Sequence, residues 1–113
     1  MYRDQPVLEL SFATPEIRAV CEDNELAHSR YGEAVSTALR GRLADLRATR
    51  CVLDIPIGSP RPVVGRADFL QIDLADGVVL HVCSGSKSSV RTESGNIDWS
   101  KVSRLKIVEI RSD

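Results

Sequence analysis

Aromatic side chains are what this sequence most conspicuously lacks. Phe, Tyr and Trp make up 4% of its 113 residues, so a core must be built from Leu, Ile, Val and Ala, and platforms for stacking nucleobases are scarce. A cationic excess is missing too, with 15 Lys and Arg against 16 Asp and Glu and a formal net charge of −1. That balance excludes a general nucleic-acid binder, whose hold on the phosphate backbone depends on concentrated Lys and Arg. No apolar run approaches the roughly 18 residues of a membrane span, and the opening MYRDQPVLEL lacks the charged head and long apolar stretch of a secretory signal. The expected location is the cytoplasm. Cys21, Cys51 and Cys83 are odd in number and widely spread, with no CxxC pair and no histidine at ligand spacing. They read as buried reduced thiols rather than as metal ligands or reactive groups.

What is present has the proportions of one globular domain, residues 1–113: 42% apolar and 27% charged residues, enough to fill one core and not two. Residues 7–12 alternate, with Leu8, Leu10 and Phe12 opposed to Val7, Glu9 and Ser11, as in a half-buried strand. Thr14 and Pro15 then read as the N-cap and first position of a short helix with Ile17, Val20 and Cys21 on one face. The acidic cluster at 22–25 ends or interrupts it, and residues 26–31 stay ambiguous. From 32 to 48, Val35, Ala38, Leu39, Leu43 and Leu46 recur at spacings of three and four, an amphipathic helix whose stripe should lie on a sheet. Arg40, Arg47 and Arg50 fall off that stripe and Arg42 flanks it, forming either a solvated face or a basic surface for a partner.

Residues 54–65 hold Pro56, Gly58, Pro60, Pro62 and Gly65, which predicts a loop. Two alternating runs, 67–74 and 78–83, flank an Asp76-Gly77 step, a strong hairpin signal. Residues 84–96 are polar and serine-rich, an exposed loop in which Lys87 and Arg91 are either RNA contacts or solvated charges. Residues 98–101 look like one capped helical turn, with Trp99 as a core anchor or a base-stacking group. Residues 102–110 read as a strand in which Leu105 and Ile107 oppose Arg104 and Lys106 before a continuous apolar stretch through Val108 and Ile110. The expected fold is α+β, two N-terminal helices packed on a small, mainly antiparallel sheet in the order β-α-α-β-β-β.

That order, together with the closing GNIDWSKVSRLKIVEIRSD at 95–113, resembles the HigB-like branch of the RelE/ParE toxin superfamily, whose chains end on an acidic residue, Trp, a small residue, Lys, Val and a terminal strand. The likeness extends through CEDNELAHSRYGEAVSTALRGRLADL at 21–46 and, more loosely, SPRPVVGRADFLQIDL at 59–74. It implies the toxin of a type II toxin-antitoxin pair: an endoribonuclease acting on messenger RNA at the ribosome, with no cofactor or metal, and neutralised by a helix-turn-helix antitoxin. Such chemistry needs a base for the attacking 2′-OH, cations for the developing phosphate charge and an acid for the leaving oxygen.

The sequence departs from that family at several of its working positions. Where the family has a His-Leu-Lys type segment there is Pro62, Val63, Val64 and Gly65; its aromatic-Arg pair is matched by Val78 and Val79; and Glu109-Ile110 is followed by Arg111, Ser112 and Asp113 rather than by acid/base groups. The candidate replacements are His81, Arg61, Arg66 and Arg111 for catalysis, and Lys106, Lys87 and Arg91 for RNA binding, with Asp113 as a further acidic group. His81 is the acid/base candidate because histidine is the side-chain type whose ordinary pKa lies nearest neutrality, though a strand histidine also serves structural ends, and His28 reads as non-catalytic. The resemblance therefore carries two alternatives, a nuclease with a rewired site or a toxin-like protein acting by binding an antitoxin-like partner. A third reading is an unrelated interaction domain sharing the layout.

Overall fold

The computed structural model describes residues 7–86 and 89–112. Its elements are β1 (Glu9–Phe12), α1 (Pro15–Glu22), α2 (Asn24–Tyr31), α3 (Glu33–Arg47), β2 (Arg61–Val63), β3 (Arg66–Asp73), β4 (Val78–Ser84) and β5 (Arg104–Ser112), with short 3-10 turns at Val52–Asp54 and Trp99–Lys101. The strands form one sheet in the order β1-β5-β4-β3-β2, with β1 parallel to β5 and the other pairs antiparallel. The chain is thus α+β with a mainly antiparallel sheet, and two expectations need correction. Among the described residues there are three helices rather than two, and five strands rather than four.

The additional helix is α2. It has no apolar stripe, with Ala27 its one buried residue, and it starts because the Asp23 carboxylate accepts from the backbone N–H groups of Glu25 and Leu26. The acidic cluster is therefore a joint between two helices. Thr14 caps α1 as expected, its hydroxyl accepting from the Ile17 N–H at 3.1 Å. The additional strand is β2, inside the predicted loop. Pro62 is tolerated because β2 is an edge strand, where a missing N–H leaves no ladder bond unmade. At the β3–β4 hairpin, Asp76 and Gly77 both take positive φ, 55° and 76°, which is the backbone a two-residue turn between right-twisted strands demands.

The helices cover one face of the sheet. Leu39, Leu43 and Leu46 of α3 join Leu70, Ile72, Leu80, Val82, Leu105 and Ile107 of the strands in a single core, all at most 2% exposed. Burying each such side chain contributes about 1.5–3 kcal/mol. Trp99 is 8% exposed and belongs to this core, so it is an anchor rather than a stacking platform. The thiols are less buried than expected: Cys21, Cys51 and Cys83 are free and only partly covered. Arg42, flanking the α3 stripe, donates to the carbonyls of Asp73 and Leu74 at 2.9 and 3.4 Å and so fastens α3 to the end of β3. Gly58 makes that junction possible, because a Cβ there would stand 2.7 Å from Ile72 Cγ2.

Candidate functional site

Among the described residues no helix covers the opposite face of the sheet, and strand register dictates what stands on it. Cross-strand partners point to the same side, so three rungs share this face: Asp73, Val79 and Arg111; Arg61, Gln71, His81 and Glu109; and Phe69, Cys83 and Lys106. His81 is at the centre of the middle rung. Its side chain is 5% exposed, walled by neighbours on both sides.

Glu109 reaches this rung only because β5 contains a bulge. Ile107 pairs with Val82 and Glu109 with His81, which leaves Val108 as an extra residue. Strict alternation from the buried Ile107 would have turned Glu109 toward the core; the inserted residue turns it to the side of His81 instead and returns Ile110 to the core side.

Side chains then converge on one carboxylate oxygen. Glu109 Oε2 lies 3.2 Å from His81 Nδ1, 3.5 Å from Arg111 Nη1 and 3.9 Å from Arg66 Nη1. The His81 contact is close but off-axis. Nδ1 is buried and makes no hydrogen bond, so the 3.2 Å approach is an ion pair only when the ring is protonated. On the far side of the ring, Nε2 is 3.3 Å from Gln71 Oε1. A neutral imidazole has one N–H and can donate to one of these oxygens, not both. The Arg66 guanidinium also stacks on Phe69, 3.9 Å from the ring centroid, and Arg61 pairs with Asp73 at 3.0 Å.

A cleft of about 520 Å³ opens over Arg61, Gln71 and His81 of this rung, beside Glu109, and is lined also by Val64, Arg66 and Arg111 among others. Val64, at the turn between β2 and β3, is 98% exposed and stands at its rim. The four candidate catalytic residues, His81, Arg61, Arg66 and Arg111, therefore share one cleft. The candidate RNA contacts do not. Lys106 lies on the same face but opposite Cys83, outside the cleft lining, and Arg91 is held by the Asp68 carboxylate at 3.1 Å and the Gly95 carbonyl at 2.9 Å. Lys87 and Asp113 lie outside the described residues. His28 lines a separate groove of about 440 Å³ between α2 and α3, with Glu25, Glu33 and Arg40. That groove sets two carboxylates against one arginine, whereas the sheet cleft gathers three arginines around a buried imidazole, and it is the sheet cleft that suits an anionic ligand.

Glu109 was not singled out by the sequence, although a signal for it existed. Ile107 and Ile110 are both apolar and three apart, which is one residue too many for an uninterrupted period of two. At the far rung, burial pushes the Cys83 thiol up, while the cations of Lys106 and Arg66 pull it back down. Among the described residues there is no cluster of three His, Cys, Asp or Glu side chains that could hold a metal, and no helix is long and apolar enough to cross a membrane.

The chain matches no protein-family model, no curated protein and no solved structure.

Proposed function

We propose that the chain is a toxin-like protein of the RelE/ParE type, an endoribonuclease whose uncovered sheet face binds the phosphodiester backbone of messenger RNA at the ribosome. The observation supporting it is the gathering of Arg61, Arg66 and Arg111 around His81 in one cleft. In this reading Arg66 and Arg111 hold the phosphate and stabilise the charge that develops as the 2′-OH attacks, and Arg61 extends the cationic floor. His81 takes the 2′-OH proton as the 2′-oxygen bonds to phosphorus and returns it to the 5′ oxygen as the P–O5′ bond breaks. A helix-turn-helix antitoxin silences the protein by covering the same face.

Expression in growing cells with a translation readout tests this, together with mapping of messenger ends on purified ribosomes. The expected result is translation arrest and ribosome-dependent cleavage. Arg66→Ala should lower the cleavage rate about 10²–10³-fold, and His81→Ala about 10²–10⁴-fold. Unchanged cleavage in both variants would remove these residues from the reaction.

A second reading is favoured by a specific observation. All three arginines already face carboxylates, Arg61 at Asp73 and Arg66 and Arg111 at Glu109, and the His81 side chain is 5% exposed. A cleft so neutralised suits a protein that has kept the scaffold for binding an antitoxin-like partner. It predicts harmless overexpression and a stable complex with the product of an adjacent small gene.

A further inference from the structure

We infer that Glu109 is a built-in anionic plug, occupying in the free protein the place where an oxyanion ligand binds, and that a phosphoryl group enters by displacing its carboxylate. The inference rests on reading the cleft as a phosphate site, as above, and adds how access to that site is controlled.

The geometry of the carboxylate is the first argument. Guanidinium–carboxylate bonds that hold a structure together are short, about 2.7–2.9 Å, and frequently paired. Here a single oxygen sits 3.5 and 3.9 Å from the two guanidinium nitrogens, and all three side chains keep between 38% and 54% of their surface in solvent. The donors are arranged more widely than one oxygen can fill. A tetrahedral oxyanion offers a separate oxygen to each guanidinium, so both contacts can close to bonding distance.

The second argument is independent and concerns His81. Its Nδ1 is buried without a hydrogen bond and faces the same carboxylate oxygen. Buried polar atoms are almost always paired, and an orphan calls for a partner. If Nε2–H donates to Gln71, Nδ1 offers a lone pair that a carboxylate cannot satisfy. A ligand carrying both anionic oxygens and a hydroxyl can satisfy it, as protonated inorganic phosphate does at neutral pH and as a phosphodiester beside a ribose hydroxyl does. The β5 bulge is what sets Glu109 here at all.

The test is titration with inorganic phosphate, followed by the side-chain nitrogen NMR signals of the arginines and of His81. A plug that fills the site about nine-tenths of the time weakens apparent affinity about tenfold, so Glu109→Gln and Glu109→Ala should both bind phosphate about tenfold more tightly than the unaltered protein. Adding Arg111→Ala to Glu109→Ala should abolish the gain. Asp73→Asn removes a charge from the same face, beside Arg61, without opening the plug, and should tighten binding much less. Equal or weaker binding in the Glu109 variants, absence of phosphate binding in every form, or an equal gain in Asp73→Asn would overturn the inference. The two readings fail separately. A phosphate gain with no RNA cleavage in any form keeps the plug and removes the nuclease; cleavage by the unaltered protein with no change in phosphate affinity removes the plug alone.

Discussion

The two faces of the sheet are made from the same five strands by different means. On the helix side, β3, β4 and β5 contribute Leu70, Ile72, Leu80, Val82, Leu105 and Ile107, aliphatic and at most 1% exposed. The other face holds Arg61, Gln71, His81, Glu109 and Arg111, with no covering element among the described residues. The first face is bought with burial and tolerates no polar group. The second spends stability, because it keeps a histidine out of water with one nitrogen unbonded. That uncovered face, with its cost in stability, is the one on which the proposed ligand site lies.

The contrast breaks first if the covered face is not what holds the fold. Leu105→Ala removes a side chain packed between β1 and β4 at 0% exposure and should lower unfolding free energy by about 2–5 kcal/mol in urea titrations. Arg111→Ala on the open face should change it by no more than about 0.5 kcal/mol while weakening ligand binding. Comparable losses from the two would mean that the open face is structural.

The cysteines sharpen the comparison at the level of reactivity. Cys21 packs against the helix-side core, and burial pushes its thiol up to about 11. Cys83, on the open face, is raised too, but Lys106 and Arg66 offset part of the effect. Alkylation with iodoacetamide near pH 8, read by mass spectrometry, should therefore modify Cys83 ahead of Cys21. The sign of the linkage follows from Cys21: the fold favours the neutral thiol, so its contribution is complete below the ordinary value of 9.0 and is lost as pH rises through about 11.

The smallest effect expected is local. Arg91 holds the Asp68 carboxyl below its ordinary value of 3.8, which makes the pair's contribution complete above that pH and lost as pH falls through the depressed value. Protection factors for amide exchange around Arg91 and the Thr92–Asn96 turn, taken relative to the intrinsic rate at each pH, should fall in acid below about pH 4, ahead of those in the sheet. Unaltered protection there down to acid unfolding would show that the ion pair does not tether this loop.

Much of the fold is legible in the residues because several of its devices are local. Thr14-Pro15, Asp76-Gly77 and the stripe from Val35 to Leu46 each carry their instruction within a few positions. α2 is not legible by periodicity, since it is held by the Asp23 cap and by its position between two helices rather than by an apolar face. β2 is hidden by Pro62, whose usual meaning changes at a sheet edge. The site is legible in part. His81, Arg61, Arg66 and Arg111 stand out as rare or basic residues, whereas their meeting with Glu109 depends on a one-residue bulge and on pairing between distant strands.

The parallel pairing of β1 with β5 has a consequence for the order of assembly. Glu9 lies beside Arg104 and Phe12 beside Ile107, so this ladder joins segments from nearly opposite ends of the described chain, while β2, β3 and β4 are linked by short turns. Closing so long a loop costs entropy before any contact repays it. The hairpins should form first and β1 should dock last, which makes the N-terminal strand the slow step of folding and the first seam to open under force or denaturant.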